Sequence, residues 1–178
     1  MDEITIKDKR FVKYISAEVI EKAVREVAQK INVDYHDKTP IFLVVLNGAI
    51  IFASDLLKNL TIDCEVSCIK ISSYEGMIRQ DEIKTLIGLK SEIKNRDIII
   101  VEDIVDTGNT IDALINLLLP EQPASIKIAT MTYKEEAYSK THQIDYVALR
   151  IPNKFIVGYG LDYDELGRNY KNIYQVIE

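Results

Sequence analysis

Three carboxylates and a short hydroxyl-rich turn stand together in IIIVEDIVDTGNTI, residues 98–111. Glu102 and Asp103 emerge where a buried strand is expected to end. Two adjacent carboxylates repel one another unless water, a cation or sugar hydroxyls separate them. Asp106, Thr107, Gly108, Asn109 and Thr110 then make a turn rich in hydroxyls and backbone N–H groups. The helix that opens behind it points its partial positive charge at the same place, which makes a cradle for phosphate. An ordinary strand-to-helix loop with Asp106 or Thr107 as cap needs only one such oxygen, and leaves the two preceding acids without a purpose. No G-x-x-x-x-G-K-[ST] occurs, so this is not a P-loop. Gly158 and Gly160 have the first spacing of the dinucleotide fingerprint, but Tyr163 stands where its third glycine belongs.

The flanking pattern supplies elements to hold that stretch. Ile20, Ala23, Val24, Val27, Ala28 and Ile31 recur at steps of three and four behind Ser16, which predicts an amphipathic helix over 17–31. IFLVVL at 41–46 predicts a buried strand, and Phe52, Ala53, Leu56, Leu57 and Leu60 one face of a second helix. Residues 62–68 alternate as a strand does, with Ile62, Cys64, Val66 and Cys68 on one side. Further strands are expected at 98–101, 125–131, 145–149 and 155–157, and a helix at 111–119 that Pro120 and Pro123 end. Apolar strands alternating with helices predict an α/β fold, a mostly parallel twisted sheet with helices on both faces. Ligands of such folds lie beyond the carboxyl ends of the strands. Gly48, Gly108, Gly158 and Gly160 all follow strand candidates and mark that edge.

The chain has 178 residues, 47% hydrophobic and 28% charged, which excludes a disordered chain and predicts one domain over 1–178. A net charge of −6 argues against broad nucleic-acid binding. Cys64 and Cys68 read as buried free thiols, and with only His36 and His142 there is no Cys/His cluster at zinc spacing. MDEITIKDKR lacks the apolar core of a signal peptide, and no apolar run approaches the roughly 18 residues of a membrane span. A cytoplasmic location without a membrane partner is expected.

Acid-acid, two apolar residues, then Asp-Thr-Gly-x-Thr behind an apolar strand resembles the phosphoribosyl-diphosphate motif of type I phosphoribosyltransferases. The rest of the chain narrows the likeness to the hypoxanthine-guanine phosphoribosyltransferases. Ser73-Tyr74 resembles that family's mobile-loop pair, and FIVGYGLDYDELGR at 155–168 its C-terminal signature, with Phe155, Asp162 and Arg168 in register. The resemblance implies the type I phosphoribosyltransferase fold, with a small hood formed by the terminal segments. It implies transfer of ribose phosphate from phosphoribosyl diphosphate to a 6-oxopurine, with Mg2+ as cofactor, in a homodimer or homotetramer.

It also implies roles. Glu102 and Asp103 would serve the ribose hydroxyls and, with Asp162, the magnesium. Asp106 would be the general base that takes the proton from the attacking purine nitrogen. Thr107, Gly108, Asn109 and Thr110 would hold the 5′-phosphate. Phe155, at a strand candidate, would stack on the purine, Ile156 would meet it through its backbone, and Lys134 would donate to its exocyclic oxygen. Arg168 and the loop Leu46-Asn47-Gly48 would take pyrophosphate, although Asn47 stands where the family often has lysine. Met131-Thr132-Tyr133, before Lys134, departs from the family's leucine-rich pattern. Residues 72–84, polar and aperiodic, would be a mobile active-site loop bringing Ser73 and Tyr74 to the substrate, and 155–178 the purine-binding and hood segment. The alternative is a non-catalytic nucleotide sensor of the same fold, which could lose its base or purine residues and would need a basic face.

Overall fold

The computed structural model describes residues 2–70 and 92–177. The expected loop at 72–84, with Ser73 and Tyr74, lies outside them. β1 (Glu3–Ile6) and β2 (Lys9–Ile15) precede α1 (Ala17–Asp34), β3 (Ile41–Leu46), α2 (Ile50–Lys58) and β4 (Glu65–Lys70). β5 (Asp97–Val105), α3 (Asn109–Leu118), a 3-10 turn at Leu119–Glu121, β6 (Ser125–Tyr133), β7 (Tyr146–Arg150), β8 (Ile156–Val157) and β9 (Ile173–Val176) follow.

The main sheet has the order β4-β3-β5-β6-β7, and all its pairings are parallel. Its unbroken apolar runs follow from burial on both faces. Phe42 and Val44 of β3 with Ile99 and Val101 of β5 face α1 and α2, where Val24, Val27, Ile31, Phe52 and Leu56 are buried. Ile41, Leu43, Ile98 and Ile100 face the other way, onto Ile111, Leu114 and Leu118 of α3. A separate antiparallel sheet, β1-β2-β9-β8, gathers the terminal segments as expected. Ile4, Ile6, Phe11, Val157 and Tyr174 form its own core, while Ile156 and Ile173 enter the main core and fasten this hood to it.

Several boundaries differ from the sequence pattern. Glu102 and Asp103 do not follow the end of a strand. β5 continues to Val105, because Glu102, Ile104 and Val105 pair with Thr130, Thr132 and Tyr133 of β6. β4 begins at Glu65 and not at 62, since its register sets Glu65 against Ile41, the first residue of β3. Val66 is then 53% exposed on an edge strand, with Ile69 buried instead. Cys64 and Cys68 are free thiols, partly rather than fully buried. Leu60 lies beyond α2, which ends at Lys58. Phe155 falls just outside β8. Among the described residues, no helix is long and apolar enough to cross a membrane.

Candidate active site

The carboxyl ends of β3, β5 and β6 supply the candidate residues. Gly108 is the N-cap of α3, at φ 87°, and no side-chain hydrogen bond caps the helix. The N-cap is thus Gly108 and not Asp106 or Thr107. Asn109 and Thr110 open the first helical turn. A Cβ on Gly108 would come within 2.4 Å of the Tyr138 ring. Ser139 donates from its N–H and its hydroxyl to the Thr107 carbonyl, at 3.3 and 3.2 Å. The segment after β6 thus returns across the turn and fixes its backbone.

Lys134 leaves the end of β6 with its N–H donating to the Val105 carbonyl at 2.9 Å. Its side chain is almost wholly buried, and Nζ donates to Asp106 Oδ2 at 2.7 Å. The Asp106 side chain itself is 42% exposed. One partner is anchored and the other opens to solvent.

Asp103 and Glu102 part company. The Asp103 carboxylate lies against Gly48, so closely that a Cβ there would fall 1.6 Å from Oδ2. Its Oδ1 accepts the N–H of Ile104 at 2.9 Å. Burial raises the Asp103 pKa to about 6, opposed by the backbone bonds and by Arg168, and reinforced by Asp162. Glu102 is buried, and burial first, then the charge of Asp103, pushes its carboxyl well above the usual range. Among the described residues its Oε2 has no hydrogen-bond partner. A buried carboxyl oxygen left without a partner is costly.

On the hood side, Arg168 Nη2 pairs with Asp162 Oδ1 at 2.7 Å, and Nη1 donates to the Gly160 carbonyl at 2.8 Å. Asp162 Oδ2 also accepts the Glu165 N–H at 2.8 Å. Gly160 meets the loop that carries Leu46, Asn47 and Gly48, where a Cβ would sit 2.1 Å from the Gly48 carbonyl. The Leu46–Asn47 peptide is cis. Asp103, Gly48, Gly160, Asp162 and Arg168 are thereby brought into one neighbourhood.

Phe155 lies on the hood, just before β8. Its ring is 45% exposed and packs with Phe11, centroids 6.2 Å apart, and edge-on with Tyr163 at 5.9 Å. Ile156 is buried in the main core, with its backbone paired to Gln175.

Residues 14–164 match the phosphoribosyl transferase domain family. A hypoxanthine-guanine phosphoribosyltransferase of Streptococcus thermophilus is 37% identical over 164 residues, 92% of this chain and 91% of that protein. The chain belongs to the hypoxanthine-guanine phosphoribosyltransferase family. A Bacillus anthracis enzyme of this family superposes with a TM-score of 0.86 at 31% identity, covering 99% of both chains. A Trypanosoma cruzi hypoxanthine phosphoribosyl transferase superposes with a TM-score of 0.87 at 29% identity, over 98% of this chain and 95% of that one. The family's type I fold is what the five parallel strands and the terminal hood make up.

Sequence reasoning missed the residues that brace this site. Tyr138 and Ser139 cover the turn at 107–108, and Tyr159 bonds to Asp55. No local spacing marks either set, because their partners lie about 30 and 104 residues away.

Proposed function

We propose that this chain transfers the 5-phosphoribosyl group of phosphoribosyl diphosphate to hypoxanthine or guanine, giving the purine mononucleotide and pyrophosphate. The 2.7 Å contact between Lys134 and Asp106 carries the reading. A 6-oxopurine presents its O6 and N7 side by side on one edge. An ammonium that can only donate, next to a carboxylate that accepts, matches that edge: Lys134 to O6, Asp106 to the ring N–H. Membership of the family supports the same reaction.

In the transfer, a ring nitrogen of the purine forms a bond to the anomeric carbon while the bond from that carbon to pyrophosphate breaks. The ring proton passes to Asp106, a step typically worth about 10²–10⁴-fold. Positive charge builds on the sugar as in glycoside hydrolysis, and a carboxylate at Asp103 would favour it. Thr107, Gly108, Asn109 and Thr110 hold the 5′-phosphate through N–H groups at the start of α3 and through hydroxyls. Arg168 donates to pyrophosphate oxygens, beside backbone N–H groups of Leu46, Asn47 and Gly48. Phe155 offers an exposed ring face to the base, with Ile156 supplying backbone contact, and Ser73 and Tyr74 would contact the substrate.

Magnesium fits the residues present. Among the described residues no three His, Cys, Asp or Glu side chains gather as a metal cage. One or two carboxylates plus substrate oxygens is the usual magnesium arrangement. Asp103 would hold the ion, Asp162 would share the task with its Arg168 pairing, and the orphaned Oε2 of Glu102 stands behind as a buried acceptor. Bound there, the ion would neutralise the leaving pyrophosphate. The free cysteines suit a cytoplasmic setting, and assembly into a homodimer or homotetramer completes the reading.

An absorbance assay with phosphoribosyl diphosphate, magnesium and each purine in turn tests it. Turnover of hypoxanthine or guanine but not adenine is expected. Absence of turnover with every 6-oxopurine overturns it.

A further inference from the structure

A tether joins helix α2 to the hood at the edge of the site. Tyr159 is buried, and its backbone holds φ 51°, a left-handed conformation that tyrosine adopts only under constraint. Its N–H donates to the Tyr170 carbonyl at 2.7 Å. Its hydroxyl donates to Asp55 Oδ2 at 2.8 Å, across 104 residues of chain. The other Asp55 oxygen takes Lys58 Nζ at 3.0 Å.

The two ends of this tether lead to the same place. Asp55 lies in α2, a helix that starts two residues after Gly48. Tyr159 is followed by Gly160, whose backbone touches the Gly48 carbonyl and whose N–H and carbonyl both bond to Arg168, at 3.0 and 2.8 Å. A change in the spacing between Asp55 and Tyr159 would therefore reach Arg168 and the loop 46–48 together. Lys134 and Asp106 are instead held from β6 and β5, through the Val105 carbonyl, and share no bond with the tether.

We infer that Asp55 and Tyr159 are positioning residues for the pyrophosphate half of the site. Their hydrogen bond sets the Gly48–Gly160 approach and so places Arg168 against its ligand. The inference rests on the phosphoribosyl transfer proposed above. It assigns specificity of effect: loosening the tether weakens phosphoribosyl diphosphate and pyrophosphate and leaves the purine alone.

The test compares the wild-type protein with Tyr159→Phe, Asp55→Ala, the double variant and Asp55→Asn, which keeps an acceptor oxygen. KM for phosphoribosyl diphosphate is expected to rise about 5- to 20-fold in Tyr159→Phe and Asp55→Ala, as the loss of one hydrogen bond to a charged group allows. KM for hypoxanthine and kcat stay within about twofold, the double variant matches the singles, and Asp55→Asn recovers most of the loss. Equal shifts in both KM values, a fall in kcat alone, or a lower melting temperature with unchanged KM would mean a merely structural bond and overturn the inference. Calorimetric titration with magnesium pyrophosphate separates this from the activity itself. A wild-type protein that binds pyrophosphate without turnover sinks the activity, while the tether still stands if the variants bind more weakly. Variants that bind pyrophosphate as tightly as wild type sink the tether, and no binding by wild type sinks both.

Discussion

Lys134 Nζ donates to Asp106 Oδ2 at 2.7 Å, joining the ends of two adjacent strands by a contact between a nearly buried cation and a half-exposed carboxylate. The pair is rigid on the lysine side, because Lys134 is 7% exposed and its backbone is bonded to Val105.

Asp106→Asn keeps the shape and the contact to Lys134 but removes the proton acceptor. Turnover should fall about 10²- to 10⁴-fold, with the circular dichroism spectrum unchanged. Near-normal kcat in the folded variant would remove Asp106 from the base role.

Lys134→Met keeps the apolar stem and deletes the donor. One charge-assisted hydrogen bond is worth about 1.5–3 kcal/mol, so KM for hypoxanthine should rise at least about tenfold. Preference for hypoxanthine over adenine should shrink in step, since the donor-only ammonium no longer rejects an amino group. Competition binding of the two bases reads this directly, and undiminished preference would assign the selection elsewhere.

Asp103 makes stability depend on pH. Burial lifts its folded pKa to about 6, above the unfolded value of about 3.9. The folded chain holds this proton more tightly, so the contribution is full below about pH 4 and lost as pH rises through 6. Asp103→Asn removes the cost of ionising there. In chelator, the variant should be more stable than wild type by on the order of 1–3 kcal/mol at pH 8 and little different at pH 4. Denaturant melts at the two pH values measure it. A gap that is the same at both would show that the carboxyl is not the cause.

Gly48→Ala tests the approach of loop and strand. The added methyl would fall 1.6 Å from Asp103 Oδ2, so Asp103 or the loop must shift, with an overpacking cost of about 1–3 kcal/mol. Because the same loop meets Gly160, KM for phosphoribosyl diphosphate should rise and kcat fall. Unaltered kinetics would mean that neither Asp103 nor the loop acts on that substrate.

The shape of the turn was readable because it is local. An acid pair, a third acid and Thr-Gly-x-Thr between an apolar strand and a helix lie within a dozen residues, where backbone geometry follows from residue type. The two-faced sheet was readable for a similar reason: IFLVVL and IIIV have no polar side, so both faces had to be covered. Where β5 stopped was not readable. Apolarity ends at Val101, but hydrogen bonding to β6 carries the strand through Glu102 and Asp103, and pairing with a neighbour leaves no mark in the strand's own residues. The same holds for Phe155, whose ring is placed by Phe11 and Tyr163 of the hood. Lys134 with Asp106, Gly48 with Asp103 and Tyr159 with Asp55 are contacts across 28, 55 and 104 residues. Amino-acid order determined which groups the protein has for the reaction. Only the strand order of the sheet, and the hood's seat on its core, decided which of those groups meet, because long-range contacts are set by packing and not by spacing along the chain.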